Sequence, residues 1–253
     1  LYILLILVDG IIFYAICCLS FLPYVKDAIT MDAKAVAAEK AVEYIENGMV
    51  VGLGTGSTSY HAIRKIGERV RQGLRIRAVA SSAKSEQLAK ECRIPLTAFT
   101  AIDHIDITID GADEVDKQLN LIKGGGGALL REKILIYNSK QAIIIVDDSK
   151  LVDTLGKFPL PIEVAPFAVE LTLSQIGRLK GNPYVRMAQS ERFVTDNGNL
   201  IIDCHFDAIR APEELNMKLR LIPGVIETGL FLHTPFTRVI VGYADGATQI
   251  LGA

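Results

Sequence analysis

The sequence predicts an α/β fold, with a Rossmann-like parallel sheet covered by helices on both faces and a smaller α+β, ferredoxin-like unit. Short apolar runs alternate with segments of helical spacing between residues 32 and 146, which is typical of a parallel α/β sheet. The runs are continuously apolar, as expected of strands buried on both faces. Glycines, hydroxyl residues and acids follow several of the runs directly, which places polar clusters at the strand ends.

The first half of the chain supplies most of the predicted sheet. Asp32 is a candidate N-cap, and apolar residues at helical spacing predict a helix from Asp32 to Asn47. The same spacing predicts helices at 60–72, 84–91 and 128–138. Strands are predicted at 49–53, 76–80, 94–99, 105–109 and 142–146.

The character of the chain changes after Lys150. Three prolines lie between residues 156 and 167 and lead into an extended segment, followed by two helical patterns and a hairpin turn at 196–199. These elements predict the small α+β domain at 157–227. The apolar run at 238–243 is expected to rejoin the first sheet, so residues 31–156 and 228–253 together form the predicted catalytic domain.

Residues 1–30 differ from the rest of the chain. The first 25 residues hold a single charge, Asp9, and such a run is long enough to span a membrane. No basic region precedes it and no clear cleavage site follows, as a signal peptide would require. We expect the globular protein to start near Met31. The leader is then either a membrane or targeting segment or an artefact, which leaves organelle targeting and membrane association as alternatives to a cytoplasmic location.

Composition excludes several classes of function. The formal net charge of −2 gives no electrostatic support for nucleic-acid binding. The four cysteines, Cys17, Cys18, Cys92 and Cys204, form no zinc motif and no disulfide framework, so a reducing compartment is expected. The four histidines lack metal-ligand spacing. We therefore expect neither a metal ion nor a cofactor.

The glycine-rich segment at 52–58 follows a predicted strand and precedes a helix. It is no dinucleotide fingerprint, because Ser57 stands where the third glycine is required and no acid ends the following strand. It also lacks the G-K-[ST] of a P-loop. Hydroxyls at Thr55, Ser57, Thr58 and Ser59 beside free helix amides suit a phosphate group. A plain strand-to-helix turn with hydroxyl capping remains the alternative.

The segment from Ile109 to Lys133 concentrates charge and glycine. Asp110 and Asp113 follow a strand and repel each other, so they favour a cationic partner such as Lys123. Four glycines, 124–127, then precede Glu132. Considered alone, Glu132 is best interpreted as a surface glutamate that the helix dipole favours near a helix start. Ligands of open α/β sheets bind beyond the carboxyl ends of the strands. The clusters at four such ends, residues 54–59, Ser81–Ser82, 110–116 and 147–150, therefore predict an active site for a small anionic substrate.

Several motifs resemble those of the type A ribose-5-phosphate isomerase family. They are G-T-G-S-T at 54–58, D-G-A-D-E at 110–114, K-G-G-G-G-A-L-L-R-E-K at 123–133, D-D-S-K and L-G-K-F-P-L-P-I-E-V between 147 and 164, V-T-D-N-G-N at 194–199 and I-P-G-V at 222–225. The resemblance extends from about Lys34 to the C-terminus. It implies interconversion of ribose 5-phosphate and ribulose 5-phosphate in the non-oxidative pentose phosphate pathway, without a metal, by a homodimer or homotetramer.

The resemblance also implies roles for individual residues. Glu132 matches the base that moves a proton between C1 and C2, and Asp110 and Lys123 match residues that assist ring opening and proton traffic. The implied substrate-binding residues are Lys34, Thr55, Gly56, Ser57, Thr58, Asp110, Gly111, Ala112, Asp113, Lys123, Gly124, Gly125, Gly126 and Lys150. Gly127 departs from the alanine common in relatives.

Two other functions fit part of the pattern. A sugar-phosphate sensor needs the phosphate loop but not Glu132, and it usually carries a DNA-binding segment, which the sequence does not show. A sugar-phosphate deaminase or CoA transferase is a second alternative, and a transferase needs its nucleophilic glutamate in another context. The order of the glycines, Arg131 and Glu132 favours the isomerase over both.

Overall fold

A computed structural model of the chain describes residues 3–8, 11–16, 30–235 and 237–252. In the leader, strands β1 (Ile3–Val8) and β2 (Ile11–Ile16) pair antiparallel. Cys17 and Cys18 lie outside the described residues. Within the described ranges, no helix combines the length and apolar character needed to cross a membrane.

The remaining elements alternate along the first half of the chain and become mixed in the second. The helices are α1 (Ala33–Val42), α2 (Ser57–Arg71), α3 (Ala83–Glu91), α4 (Leu129–Tyr137), α5 (Val169–Gly177) and α6 (Pro212–Arg220). The strands are β3 (Val50–Leu53), β4 (Arg77–Ala80), β5 (Ile105–Gly111), β6 (Glu114–Val115), β7 (Leu121–Ile122), β8 (Ser139–Asp147), β9 (Leu160–Val164), β10 (Asn182–Val185), β11 (Met187–Ala188), β12 (Glu191–Arg192), β13 (Leu200–His205), β14 (Val225–Thr228), β15 (Leu230–Phe231), β16 (Thr237–Gly242) and β17 (Thr248–Leu251).

The main sheet has six strands in the order β17-β16-β8-β5-β3-β4. All neighbours are parallel except β17, which pairs antiparallel with β16. Alternate residues of β8 enter separate cores: Ile143 and Ile145 pack with α1 and α2, whereas Ile144 and Val146 pack on the opposite face. Leu135 and Ile136 of α4 are buried on that opposite face. The prediction of a parallel sheet with helices on both faces is confirmed.

The second sheet has the order β10-β13-β9-β14 and is wholly antiparallel. Its elements follow the chain as βαββαβ, with α5 and α6 as the two helices, which is the ferredoxin-like arrangement predicted from the sequence. A three-stranded ladder, β15-β7-β6, combines two strands from between β5 and β8 with one strand from between β14 and β16. The β16 strand returns to the main sheet beside β8, as predicted.

Three predicted elements differ from the structure. Helix α1 ends at Val42 rather than Asn47, because the next amides bond three residues back and tighten the chain. Helix α2 begins at Ser57, ahead of the predicted Tyr60. The predicted strand at 94–99 is reduced to a single bridge between Leu96 and Ala78, next to a proline that has no amide hydrogen to donate.

Candidate active site

A narrow cleft lies at the carboxyl ends of β3, β5 and β8, with a cavity volume of about 80 Å³. Its walls are Thr55, Gly56, Ser57, Thr58, Gly111, Ala112, Asp113, Lys123, Gly124, Gly125, Gly126, Glu132 and Lys150. The structure therefore brings together every predicted substrate-binding residue except Lys34 and Asp110. Lys34 lies at the rim, where its Nζ donates to Ser57 Oγ at 3.1 Å.

One wall is the start of α2. The N-cap is Gly56, whose φ of 110° only glycine adopts readily and which brings no capping side chain. The first amides of an α-helix have no intrahelical acceptor. Those of Ser57 and Thr58 therefore remain available at the cleft, together with the positive end of the helix dipole. This geometry favours the phosphate interpretation of the segment over a capped turn.

A buried cluster of hydroxyls supports this wall from behind. Thr55 Oγ1 lies 2.8 Å from both Ser81 Oγ and Ser82 Oγ, and Ser85 Oγ donates to the carbonyl of Gly54 at 2.6 Å. Ser81, Ser82 and Ser85 are all buried. The sequence placed Ser81 and Ser82 at a strand end, but Ser85 stands inside a helix with no local signal of a supporting role.

Asp110 is fully buried at the end of β5, behind the cleft wall. Its Oδ1 accepts hydrogen bonds from the Thr55 amide at 3.0 Å, from Ser59 Oγ at 3.1 Å and from the Gly111 amide at 2.8 Å. Its Oδ2 faces Lys123 Nζ at 3.0 Å. Asp110 thus joins the loop at 54–58 to the lysine, and its partner Ser59 is one of the hydroxyls that the sequence places at the start of the following helix.

Lys123 is buried at the end of β7, between two carboxylates. Its Nζ lies 3.0 Å from Asp110 Oδ2 and 3.1 Å from Glu132 Oε2, and it donates to the Gly111 carbonyl at 2.5 Å. Burial alone lowers the pKa of a lysine. Here the negative charges of Asp110 and Glu132 outweigh burial and hold the pKa of Lys123 above its ordinary value.

Glu132 lies in the first turn of α4 and is 3% exposed. Burial raises its pKa to about 8, although the charge of Lys123 opposes the rise. A carboxyl with a raised pKa that still faces a cleft is a candidate general base. The surface-glutamate interpretation, which the residue alone favoured, does not fit this burial.

The glycine run forms the wall between Lys123 and Glu132. Gly124 has a φ of 104°, and a side chain there would collide with Leu129. Gly125 donates its amide to Asp113 Oδ2 at 2.8 Å, and a Cβ at Gly125 would come within 2.6 Å of Asp113 Oδ1. Gly127, at a φ of 78°, lies under the ring of Phe193. A positive φ therefore favours glycine at Gly124 and Gly127, and the close approach of the Asp113 side chain favours it at Gly125.

Several other residues lie away from the cleft. Asp116 caps the turn between β6 and β7 by accepting from the amides of Gln118 and Asn120. Cys92 and Cys204 are buried free thiols. None of the four histidines belongs to the cleft wall.

The fold and the cleft define an acid–base enzyme for a small anionic substrate, since a helix start with free amides faces a buried carboxylate–lysine–carboxylate group. The model of the family described as ribose 5-phosphate isomerase A (phosphoriboisomerase A) matches residues 77–246. The chain belongs to this family, and it is accordingly an isomerase.

Similarity to individual proteins extends over most of the chain. Ribose-5-phosphate isomerase A of Bacillus mycoides is 50% identical over 220 residues, which cover 87% of this chain and 99% of the relative. The solved structure of ribose 5-phosphate isomerase A from Methanocaldococcus jannaschii has a TM-score of 0.83 at 39% identity, covering 88% of this chain and 99% of that one. The Plasmodium falciparum ribose 5-phosphate isomerase has the same TM-score at 35% identity, covering 87% of this chain and 98% of that one.

Proposed function

We propose that the protein interconverts D-ribose 5-phosphate and D-ribulose 5-phosphate as an aldose–ketose isomerase of the non-oxidative pentose phosphate pathway. The observation that carries the proposal is Lys123, which lies 3.0 Å from Asp110 and 3.1 Å from Glu132 at a cleft bounded by free helix amides. A similar structure, of a D-ribose-5-phosphate isomerase in complex with phospho-erythronic acid, supports a small phosphorylated ligand.

In this mechanism Glu132 is the general base. Its carboxylate removes the proton from C2 of the open-chain aldose, and the electrons of the C–H bond form an enediolate with C1. The hydroxyl proton on the C2 oxygen passes to the C1 oxygen, and Glu132 returns the abstracted proton to C1, which leaves the carbonyl at C2 and completes the ketose. A positioned base of this kind contributes about 10²–10⁴-fold to the rate.

Lys123 stabilises the negative charge that develops on the substrate oxygens. Its ammonium is held charged by two carboxylates and needs no reorganisation as the enediolate forms. The same group can donate a hydrogen bond to the ring oxygen when the sugar ring opens. Asp110 is fully buried, so we assign it a positioning role that acts through Lys123.

The phosphate binds at the start of α2 in this proposal. The amides and hydroxyls of Ser57 and Thr58 donate to its oxygens, and Lys34 and Lys150 supply positive charge near the rim. Binding the phosphate away from the reacting carbons fixes C1 and C2 against Glu132. Asp113 and Gly126 face the sugar between these two ends.

An assay of the purified full chain tests the proposal. D-ribose 5-phosphate is offered beside D-ribose, and formation of the corresponding ketose is followed directly. We expect turnover of the phosphorylated sugar, with kcat/KM at least about 100-fold higher than for D-ribose because the phosphate contacts are charge-assisted. A purified, folded chain that forms no D-ribulose 5-phosphate would contradict the proposal.

We further propose that the enzyme is a homodimer or homotetramer. Phe167, Leu171 and Leu221 are 90%, 71% and 82% exposed around one apolar groove on the small sheet's helices. A contiguous apolar surface of this kind marks a protein contact. Sedimentation of the wild-type chain and of Leu171→Glu tests this, since a dimer formed through the groove should dissociate in the variant.

We also propose a division into a catalytic domain at 31–156 and 228–253 and a small domain at 157–227, and a cytoplasmic location. The two sheets support the division, and the buried thiols Cys92 and Cys204 suit a reducing compartment. Cell fractionation of the chain with and without residues 1–30 tests the location. Recovery of only the longer form with membranes or organelles would assign that role to the leader.

A further inference from the structure

Arg186 belongs to the small sheet's region of the chain, yet its side chain reaches the cleft wall from behind. It lies between β10 and β11, and its side chain is 14% exposed. Its Nε donates to Asp203 Oδ2 at 2.7 Å and its Nη2 to Asp203 Oδ1 at 2.5 Å. This two-bond pairing fixes the plane of the guanidinium group.

The remaining nitrogen of the guanidinium binds the glycine run. Nη1 donates to the carbonyl of Gly124 at 3.1 Å and to that of Gly125 at 3.0 Å. All three guanidinium nitrogens therefore donate hydrogen bonds. Two of them bind Asp203, and the third binds two consecutive backbone carbonyls. The ring of Phe193 lies 5.7 Å from the guanidinium carbon and also covers Gly127.

Peptide planarity converts these contacts into an orientation of the amides. In a trans peptide the N–H points away from the C=O of the same plane. Carbonyls drawn towards Arg186 therefore turn the amides of Gly125 and Gly126 to the opposite side. The Gly125 amide donates to Asp113, a residue of the cleft wall. The Gly126 amide has no acceptor within the described part of the chain, and Gly126 lines the cleft.

We propose that Arg186, held by Asp203, is a positioning residue that fixes the glycine run so that the Gly126 amide donates to the developing enediolate oxygen. The inference rests on the proposed isomerase function and extends it to the small sheet. Glycine has a large conformational freedom that a flexible run would otherwise retain. A fixed cation beyond the carbonyls restricts this freedom and polarises the peptides, which strengthens the amide donors.

The first test compares Arg186→Ala with Arg192→Ala. Arg192 is an exposed arginine of the same region, paired with Glu170 on the surface. We expect kcat for D-ribose 5-phosphate to fall about 10–100-fold in Arg186→Ala, because small displacements of a catalytic donor are costly. KM should change less than about threefold, since the phosphate contacts lie on α2. Arg192→Ala should retain wild-type values.

A second readout separates positioning from general damage to the fold. Millimolar guanidinium ion should restore part of the lost kcat of Arg186→Ala and leave Arg192→Ala and the wild type unchanged. If Arg186→Ala does not fold, Asp203→Asn replaces it, because the amide keeps a partner for the guanidinium but removes the charge. Its kcat should fall about 3–10-fold with KM retained.

The outcomes distinguish this inference from the proposed function. A folded Arg186→Ala with kcat within twofold of an active wild type overturns the inference alone. A rise in KM of about 10–100-fold with unchanged kcat also overturns it, since that result places Arg186 in ground-state binding. A wild-type chain without isomerase activity overturns the proposed function, whatever the variants do.

Discussion

Two glycine-rich turns border the cleft, each followed directly by a helix, and they differ in the groups that they present to it. After β3, a glycine turn at Gly54–Gly56 opens into α2, and after β7 the run at 124–127 opens into α4. The first helix start carries an exposed Ser57 and no capping side chain. The second holds Glu132 at 3% exposure beside a buried lysine.

The difference lies in what the rest of the chain contributes to each turn. Asp110 and the serine cluster support the α2 turn on the side away from the cleft, so the amides of Ser57 and Thr58 remain free for a ligand. In the second turn, Arg186 donates hydrogen bonds to the carbonyls of Gly124 and Gly125, and Asp113 accepts one from the Gly125 amide. A glycine turn before a helix therefore suits either an anion or a buried carboxylate, and its surroundings decide which one it receives.

Replacing Glu132 by glutamine should have the largest effect on kcat. It should abolish the proton transfer assigned to the second turn and leave phosphate binding at the first turn intact. The amide keeps the size of the carboxyl but cannot accept the C2 proton, so kcat should fall about 10²–10⁴-fold with KM largely retained. Steady-state isomerase assays measure this. Glu213→Gln, an exposed glutamate in the first turn of α6, is the matched control. Near-normal kcat in Glu132→Gln would show that the base is another group.

Removing the charge of Lys123 should have the next largest effect. We expect Lys123→Met to lower kcat about 10²–10³-fold, as for loss of a strong oxyanion donor. The pH profile adds a second signature. A general base acts when deprotonated, so kcat/KM should rise with pH through the pKa of Glu132, which burial raises to about 8.

The direction of the pH shift follows from the sign of the lysine charge. Lys123 favours the ionised form of Glu132 and so lowers its pKa. Its removal should raise that pKa further and move the acid limb of kcat/KM to higher pH. Lys140→Met, an exposed lysine paired with Asp106, should leave the profile unchanged. A shift of the acid limb to lower pH in Lys123→Met would contradict the assignment.

A change in the first turn should affect binding instead of turnover. Ser57→Ala removes one hydroxyl donor to the phosphate, and a hydrogen bond to a charged group contributes about 1.5–3 kcal/mol. KM for D-ribose 5-phosphate should therefore rise about tenfold or more, with kcat within about threefold. Ser174→Ala on the exposed side of α5 serves as the control. A fall in kcat alone would place the phosphate elsewhere.

The smallest effect concerns the stability of the two turns. Gly56 combines a φ of 110° with open space, so Gly56→Ala meets only backbone strain of about 1–3 kcal/mol. Gly125→Ala meets Asp113, whose side chain can rotate away. Thermal unfolding should show the larger loss for Gly56→Ala, about 2–4 °C per kcal/mol in a chain of this size. The reverse order would show that Asp113 is fixed more rigidly than the turn.

The sequence predicted the sheet and the position of the cleft because both depend on local patterns. Continuous apolar runs identify parallel strands, and parallel strands bring their polar ends to one edge. The strands β8, β5, β3 and β4 are indeed consecutive in the sheet, so the four polar clusters meet. Two-residue strands such as β6, β7 and β15 were not predicted, since they are too short to show a period.

The remaining parts of the site depend on contacts between distant residues. Taken alone, Glu132 is indistinguishable in sequence from a surface glutamate. The motif around it favours a catalytic role, and its burial and the contact with Lys123 exclude a surface position. The Arg186 contact joins positions 61 and 62 residues apart through elements that share no motif. Ser85 looks like an ordinary helix residue until the loop that it supports is folded against it. The hydrogen bond from Ser59 to Asp110 likewise joins residues that are 51 positions apart in the sequence.

The most direct test of the division between the two turns follows a deuterium label at C2 of ribose 5-phosphate. In the wild type the label should pass to C1 of the product and to water, with a primary isotope effect on kcat/KM. Ser57→Ala should retain this transfer at a raised KM, whereas Glu132→Gln should lose it by at least about 10²-fold. Transfer in Glu132→Gln at a rate within tenfold of the wild type would contradict the assignment of Glu132 as the base.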